Sequence, residues 1–189
     1  RKATPEIGYL HRGVEKLGEH LSYHQFIPLT DRLNYCSSLM NNVGYTLAVE
    51  KLLGIQDPAR SQVIRVLVSE LARIGDHIIC VGINAVDLGA YTAFLYLFKE
   101  RETLYDLFEM AAGQRLHTSF TRIGGLMRDL PDTFLPLLEQ FLESMPRTLD
   151  EMEKLLTRNP IWYDRTHGVG KITAEDAINW GYTGPCLRA

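Results

Sequence analysis

The sequence has few cysteines and no paired cysteine motif. Its three cysteines, Cys36, Cys80 and Cys186, lie far apart, and none of them belongs to a CxxC pair. Structural zinc and iron–sulfur sites are usually built from closely spaced thiolates. We therefore expect this chain to hold no metal ion or iron–sulfur cluster by itself. The odd number of cysteines favours a reducing compartment over a disulfide-rich secreted protein.

Long apolar runs and an excess of positive charge are also lacking. A membrane-spanning helix needs about 20 consecutive apolar residues, and the most apolar stretch, HIICVGINAVDLGA, is interrupted by Asn84 and Asp87. The net charge of -3 does not indicate a nucleic-acid-binding surface. We expect a chain without a transmembrane segment and without a nucleic-acid partner, in which 189 residues are enough for a substantial core.

The apolar residues instead repeat with the spacing of α-helices. The second predicted helix has Thr30 or Asp31 as an N-cap and Gly54 as a terminator, and Pro28 closes the connection that follows the first helix. Residues 115–129 are less regular, with a turn at Gly124–Gly125. The fold class is mainly α, a single helical domain over residues 1–189 with little or no sheet. Helices are predicted over residues 6–21, 30–53, 58–89, 92–113, 129–159 and 173–181.

In the predicted helix over 58–89, the polar side chains of residues 65–89 fall within an arc of roughly 140°. One interpretation is that this arc faces water, and the other is that it faces a cleft, where Arg73 pairs with Asp76 at spacing i, i+3. Asp87 lies at the helix end where an anion is disfavoured, which predicts either a carboxyl group that holds its proton to a higher pH or a cationic partner, as for a group that handles protons. On the opposite side, Gly75 and Gly82 predict the close approach of a neighbouring helix.

Several long blocks of the chain resemble one family. They are LHRGVEKLGEH, DRLNYCSSLMNNVGYTLAVEKLLGI, RVLVSELARIGDH, DLGAYTAFLYLFKERETLYDLFE, GQRLHTSFTRIGGLMRDLP and GVGKITAEDAINWGYTGPCLRA. In this order they are similar to the hydrogenase-large-subunit-like subunit of NADH:quinone oxidoreductase (respiratory complex I), which is called the D subunit or the 49-kDa subunit. The resemblance begins near Glu6 and covers nearly the whole chain. It implies a helical bundle of the nickel–iron hydrogenase large-subunit type, without the CxxC metal ligands of the hydrogenases.

The resemblance also implies partners and a location. In this family the subunit packs against an iron–sulfur subunit that carries the terminal cluster, and quinone is reduced between the two. The complex takes its electrons from NADH, translocates protons, and joins a peripheral arm to a membrane arm. The implied location is the cytoplasmic face of the bacterial inner membrane or the matrix side in mitochondria. We expect a fragment that lacks the family's N-terminal β segment and C-terminal part, and that is inactive in isolation.

Four residues match functional positions of the family. Tyr35 matches the tyrosine that hydrogen-bonds a quinone carbonyl, a role that suits a neutral phenol donor. Arg32 and His117 match residues beside the partner's cluster, where a fixed cation favours the reduced cluster and an imidazole takes up a proton. Asp87 matches an aspartate that pairs with a second quinone-binding histidine, in a segment of HPxTHG type that is not found in these 189 residues.

The residues taken alone leave other interpretations open. Tyr35 and His117 are also typical of hydrogen-bonded core residues, Arg32 of a surface arginine that pairs with Asp31 or Glu6, and Asp87 of a helix-end turn. The alternative function is a non-catalytic helical scaffold or assembly module, or the equivalent subunit of a related membrane-bound hydrogenase-like complex. Convergence of Arg32, Tyr35, Asp87 and His117 on one open cavity would favour the redox function, and scattering would favour the scaffold.

Overall fold

The computed structural model describes residues 2–184, so Cys186 lies outside the described residues. Helices account for 66% of the described residues, which confirms the mainly α class. The α-helices are α1 (Val14–Gly18), α2 (Tyr23–Thr30), α3 (Ser38–Leu53), α4 (Ala59–Asp87), α5 (Tyr91–Ala112), α6 (Phe134–Met152), α7 (Pro160–Thr166) and α8 (Ala174–Asn179). A 3₁₀ turn (Tyr35–Ser37) precedes α3, and a π-helical turn (Glu153–Thr157) follows α6. Strands β1 (Thr121–Arg122) and β2 (Gly125–Leu126) form a short antiparallel hairpin.

The long helix α4 is the centre of the fold. It packs against α3 on one side and α5 on another, and α6 packs against α5. Burial of their facing apolar side chains forms one core, which also includes Phe120 from the segment before the hairpin. Core residues from the helices include Leu71, Ile78, Leu97, Leu104, Leu107, Phe134 and Phe141. Within residues 2–184, no helix combines the length and the apolar character that membrane spanning requires.

The close approach predicted at the α4 glycines is confirmed at Gly82. A Cβ atom at Gly82 would lie 3.2 Å from Phe94 Cδ2 and 3.7 Å from the Phe94 Cα of α5. A Cβ atom at Gly75 would lie 3.7 Å from Leu104 Cδ1, also on α5. Gly82 therefore lets the backbone of α4 approach α5, and this contact offsets its low helix propensity, whereas the distance at Gly75 is that of an ordinary van der Waals contact.

A buried ion network joins α3, α4 and the hairpin. The Arg65 guanidinium on α4 donates to both carboxylate oxygens of Glu50 at 2.9 and 2.7 Å, and it lies 3.1 Å from Asp57. It also donates to the carbonyl oxygens of Arg122 and Gly125 at 2.8 and 3.0 Å. The Arg65, Glu50 and Asp57 side chains are each at most 5% exposed. The hydrogen bond from Arg65 holds the pKa of Glu50 below its ordinary value, against the opposing effect of burial.

Two of the helix predictions are wrong. The predicted helix over 6–21 is reduced to α1, because Ile7, Tyr9 and Leu10 are about 90% exposed or more and gain no packing from the described residues that would hold a helix. The predicted helix over 30–53 is interrupted between α2 and α3. Thr30 is the last residue of α2 and Pro28 lies inside it, so neither Thr30 nor Asp31 caps a following helix.

The side chain of Asn34 accounts for the interruption before α3. Asn34 has a non-helical backbone, and its side-chain amide donates to Ser37 Oγ at 2.7 Å and to the Asp76 carboxylate of α4 at 3.2 Å. Side-chain bonds of this kind compete with the helical backbone pattern. Asp76 is therefore occupied by Asn34, and Arg73 pairs with Glu70 on its own helix. The expected pair between Arg73 and Asp76 is not formed.

The remaining predictions agree with the structure. The bounds of α4 and α5 fall within about two residues of those predicted, the usual uncertainty at helix ends. Gly54 ends α3 in a left-handed conformation, and Thr173 caps α8 by accepting a hydrogen bond from the Asp176 N–H. The irregular segment 115–129 contains the hairpin, whose turn includes Gly124. Two differences remain: helix α7 was not predicted, and the predicted helix over 129–159 begins only at Phe134.

The α4–α5 contact predicts opposite effects of one substitution at two helical glycines. We expect Gly82→Leu to lower the free energy of unfolding by about 1–3 kcal/mol, because the new side chain overpacks Phe94. Gly44→Leu, on exposed α3 surface with nothing within 4 Å, is expected to raise it by up to about 1 kcal/mol. Chemical denaturation of both variants measures the difference. Equal effects at the two sites would contradict the close approach.

The ion network predicts a specific pH dependence. Since the folded-state pKa of Glu50 is lowered, its stabilising effect is present above the unfolded pKa of about 4.3 and is lost as pH falls through the folded value. We expect Glu50→Gln to cost about 3 kcal/mol at pH 7 and progressively less below pH ~4. Urea unfolding across pH 3–7 tests this, with Glu139→Gln on exposed α6 surface as the control. A penalty for Glu50→Gln that does not change with pH would contradict the network's role.

Candidate functional site

Three of the four predicted site residues line one open cavity. Arg32, Tyr35 and His117 lie in its wall, although His117 is more than 80 positions away from the other two. The cavity has a volume of about 490 Å³. The complete lining is Leu10, His11, Arg12, Val14, Glu15, Arg32, Leu33, Tyr35 and His117. The structure therefore brings three chain segments together: residues 10–15, residues 32–35 and the loop after α5.

Tyr35 is the first residue of the 3₁₀ turn and is held there by its neighbour Asn34. The Asn34 side chain binds Ser37 and Asp76, and the Asn34 carbonyl oxygen accepts from the Asn41 side chain at 2.9 Å. These bonds join the turn to α3 and α4. Tyr35 itself is 61% exposed, and its hydroxyl has no hydrogen-bond partner among residues 2–184. The phenol is therefore available to donate to a ligand in the cavity.

Arg32 lies in the turn that follows α2. Its guanidinium donates to the Pro28 carbonyl oxygen at 2.6 Å, near the helix end where backbone carbonyls have no helical partner. The Arg12 guanidinium in turn donates to the Arg32 carbonyl oxygen at 3.3 Å. Arg12 thus connects the N-terminal wall of the cavity to the Arg32 wall. Arg32 pairs with neither Asp31 nor Glu6, which was the simpler interpretation of its position.

His117 lies in an irregular loop with an unusual backbone. His117 and Ser119 have φ angles of +57° and +44°, in the left-handed region that few non-glycine residues adopt. The fully buried Asp31 holds this loop: its carboxylate accepts from the Ser119 N–H at 3.1 Å and from the Ser119 hydroxyl. The Asp31 backbone carbonyl oxygen also lies 3.3 Å from His117 Nδ1. One residue therefore contacts both ends of the 117–119 segment.

The charges around the cavity are mostly positive. Two arginines, Arg12 and Arg32, face one carboxylate, Glu15, and two histidines add protonatable nitrogens. The apolar part of the lining comes from Leu10, Val14 and Leu33. Such a site can contact a ligand that has an apolar body and oxygen acceptors, and it favours negative charge that develops on those acceptors.

Asp87 does not lie in this cavity. It is the last residue of α4 and is exposed, eleven residues beyond the Asp76 that contacts Asn34. At about 1.5 Å per residue, the separation along the helix axis is about 16 Å. No ion pair of Asp87 is found within residues 2–184. The four predicted residues therefore form a group of three and one separate carboxylate.

The sequence did not reveal the contact between Asp31 and Ser119. Asp31 appeared only as a candidate helix cap or a partner of Arg32, and Ser119 attracted no prediction. The two residues are 88 positions apart, so no local pattern links them. The lining residues His11 and Arg12 were also missed, because their segment was predicted to be an ordinary helix.

Metal binding by the chain alone finds no support in the geometry. Residues 2–184 contain no group of three or more histidine, cysteine or acidic side chains arranged to hold a metal ion. Cys36 and Cys80 are both unpaired thiols. Cys36, next to Tyr35, is partly buried, and this burial, together with the nearby Asp76 carboxylate, raises the pKa of its thiol.

Comparison with known proteins places the chain in a class. A family model described as the 49 Kd subunit of the respiratory-chain NADH dehydrogenase matches residues 87–189. This is more than half of the chain, and the chain belongs to this family.

Individual relatives match over the entire chain. The NADH-quinone oxidoreductase D subunit of Geotalea uraniireducens is 54% identical over 188 residues, which is 100% of this chain and 48% of the relative. The protein of the same name from Methylacidiphilum infernorum is 54% identical over 99% of this chain and 45% of the relative. That from Citrifermentans bemidjiense is 50% identical over 100% of this chain and 48% of the relative. The chain thus spans about half the length of the curated relatives it matches.

The environment of Cys36, beside the cavity, predicts that its thiol reacts slowly and that the rate depends on the charge of Asp76. In a Cys186→Ser background at pH 8, we expect iodoacetamide to alkylate Cys36 more slowly than the exposed Cys80, because the thiolate is the reactive form. Asp76→Asn is expected to accelerate alkylation of Cys36, since it removes a charge that raises the pKa of this thiol. Asp87→Asn, on the same helix, is the matched control. Mass spectrometry follows both cysteines, and an unchanged Cys36 rate in Asp76→Asn would contradict this account.

Proposed function

We propose that this chain forms part of the quinone-reduction site of an NADH:quinone oxidoreductase, together with a neighbouring iron–sulfur subunit. The observation that carries the proposal is the convergence of Arg32, Tyr35 and His117 on one open cavity. Membership of the 49-kDa subunit family, and relatives named as NADH-quinone oxidoreductase subunits, support the same function. The proposed substrate is a quinone, and NADH is the electron source of the whole complex.

Tyr35 is the proposed quinone-binding and catalytic residue. Its hydroxyl is exposed in the cavity wall and has no partner among the described residues, so a quinone carbonyl can accept a hydrogen bond from it. As electrons arrive, negative charge develops on that oxygen, and the donor stabilises it more strongly than it stabilises the neutral carbonyl. Leu10, Val14 and Leu33 provide apolar contact for the quinone ring. The phenol is also placed to pass a proton to the reduced oxygen.

Arg32 and His117 are the proposed residues beside the partner's cluster. The described residues include no cysteine set able to hold a cluster, which supports assigning the cluster to the neighbouring subunit. The cluster would supply single electrons. Arg32, fixed by the Pro28 carbonyl, provides positive charge that favours the reduced state. His117 provides an imidazole that can take up a proton when negative charge increases nearby.

Asp87 is proposed to act through a residue outside this sequence. Its exposed carboxylate at the end of α4 is available to a cationic partner, which suits the proposed pairing with a second quinone-binding histidine. Its separation from the Tyr35 cavity favours the alternative function, a helical scaffold without catalytic residues. We place Asp87 in the extended quinone site, and not in the cavity described above.

The surface of the chain supports assembly into a larger complex. Large apolar side chains are exposed at several places, including Ile7 at 97%, Leu10 at 94%, Val63 at 69% and Val66 at 64%. Exposed apolar residues in such number are typical of surfaces covered by other parts of a complex. We propose that these surfaces meet other peripheral-arm subunits and the membrane arm, at the cytoplasmic or matrix face of the membrane. The helical body is proposed to be of the nickel–iron hydrogenase large-subunit type.

Removal of a single hydroxyl group tests the proposed function. In the assembled complex, we expect Tyr35→Phe to lower the rate of quinone reduction by roughly 10- to 100-fold, because the donor to the developing oxyanion is lost. Reduction of the iron–sulfur clusters by NADH is expected to remain at the wild-type rate. Stopped-flow spectroscopy of the clusters and steady-state quinone reduction separate the two steps.

The same tyrosine-to-phenylalanine substitution, at a position outside the cavity, provides the control. Tyr96 is an exposed tyrosine of α5 that does not line the cavity, and Tyr96→Phe is expected to leave both rates unchanged. Wild-type quinone turnover in Tyr35→Phe would reject the quinone site at this cavity. Loss of cluster reduction in Tyr35→Phe would instead indicate a general failure of assembly, and the role of Tyr35 would then be structural.

A further inference from the structure

We propose that Asp31 is a positioning residue for His117, and that it acts through its bond to Ser119. The proposal rests on the quinone-site function, since it assigns a role within the same cavity. Asp31 is fully buried, and its carboxylate has no cation among the described residues. A buried carboxylate without a cation is costly unless hydrogen-bond donors satisfy it. The donors described for Asp31 both come from Ser119.

This bond connects two walls of the cavity. Asp31 immediately precedes Arg32 and lies four positions before Tyr35, whereas Ser119 lies two positions after His117. The backbone N–H and the hydroxyl of Ser119 both donate to the same carboxylate, at 3.1 Å for the N–H. Breaking the Asp31–Ser119 bond would therefore release the His117 loop from the segment that carries Arg32 and Tyr35. We call this bond the Asp31–Ser119 clamp.

The clamp also accounts for the backbone of the loop. The left-handed conformations of His117 and Ser119 are unfavourable for residues with a Cβ atom and persist only where other interactions enforce them. The double hydrogen bond at Ser119 contributes to that enforcement, because it fixes both the backbone and the side chain of one of the two residues, and the Arg122 guanidinium also donates to the Ser119 carbonyl oxygen. The clamp thereby holds the neighbouring His117 in a conformation that a free loop would leave.

Asp31 further selects one nitrogen of the imidazole. His117 Nδ1 lies 3.3 Å from the Asp31 backbone carbonyl oxygen, which can only accept a hydrogen bond. Nδ1 therefore carries a hydrogen in this contact. The other nitrogen, Nε2, is then the one that gains or releases a proton. The Asp31 side chain holds the loop and the Asp31 main chain orients the ring, so a change at Asp31 should alter where and how His117 exchanges protons.

The test uses the assembled complex and a matched pair of hydroxyl deletions. Ser119→Ala removes the hydroxyl donor of the clamp, and Asp31→Asn removes its charge while keeping its shape. Ser144→Ala is the control, since the Ser144 hydroxyl also donates to a buried carboxylate, that of Glu100, at 2.8 Å between α6 and α5. We expect quinone reduction at pH 7 to fall roughly tenfold in Asp31→Asn and less in Ser119→Ala, because small misplacements cost large factors in rate. Ser144→Ala should retain the wild-type rate.

The pH profile of quinone reduction distinguishes positioning from loss of structure. A merely structural defect lowers the rate by the same factor at every pH, whereas the displacement of a group that transfers protons changes the shape of the profile. Other titratable or charged groups also face the cavity, and they are common to all variants: His11, Arg12, Glu15, Arg32 and Tyr35. We expect the altered shape in Asp31→Asn and Ser119→Ala, and not in Ser144→Ala.

A double-mutant cycle identifies His117 as the residue through which the clamp acts. In a His117→Ala background, Asp31→Asn should cause no further fall in rate, since the group that it positions is already absent. Additive losses, or a profile whose shape matches the wild type, would overturn the clamp proposal. If the clamp variants behave like Ser144→Ala while Tyr35→Phe still blocks quinone reduction, the clamp fails and the proposed function stands. If Tyr35→Phe has no effect, the proposed function fails first.

Discussion

The burial of one guanidinium group holds the arrangement around the cavity. Arg65 reaches from α4 to Glu50 on α3 and to the carbonyl oxygens of the β1–β2 hairpin. Helix α3 continues directly from the turn that carries Tyr35, and the hairpin begins four residues after His117. Both walls of the cavity are therefore attached to elements that Arg65 brings together. The Gly124 N–H adds a further bond to Glu50 at 2.7 Å, so the carboxylate also fixes the hairpin turn.

A buried ion network of this kind specifies a structure more than it adds stability. The desolvation of Arg65, Glu50 and Asp57 offsets much of their mutual attraction, and apolar residues of similar volume often give equal stability. An apolar substitute would not direct the hairpin, however, because it offers nothing to the Arg122 and Gly125 carbonyl oxygens. The value of Arg65 therefore lies in the directed donors of its two Nη groups, which select one relative placement of α3, α4 and the hairpin.

The long helices could be predicted from the sequence because their signals are local. The apolar period of α4 and α5 extends over 29 and 22 residues, and glycine lies just beyond the end of each. The segment before α1 shows a similar period but gains no packing from the described residues, so the period alone did not produce a helix. Between α2 and α3, the side chain of Asn34 competes with the backbone, and its partner Asp76 comes from a different helix. Such a break depends on tertiary contacts that a window of sequence does not contain.

The same difference between local signals and distant contacts applies to the candidate site. The resemblance to the family predicted Tyr35, Arg32 and His117 as site residues, but it does not explain their geometry. Asp31 was visible only as a helix cap or a partner of Arg32, because its true partner is 88 positions away. Only its burial in the structure shows that it needs donors from elsewhere, since it neither begins a helix nor pairs with the neighbouring arginine.

In the structure those donors come from a loop with two left-handed residues, and the strain and the buried charge explain each other. The loop adopts its unfavourable backbone because the Asp31 carboxylate requires the donors of Ser119. The carboxylate remains buried because that backbone brings both donors to it. The two features support each other, with the Arg122 guanidinium as a further donor to the Ser119 carbonyl oxygen, so the position of His117 against Arg32 and Tyr35 depends on both.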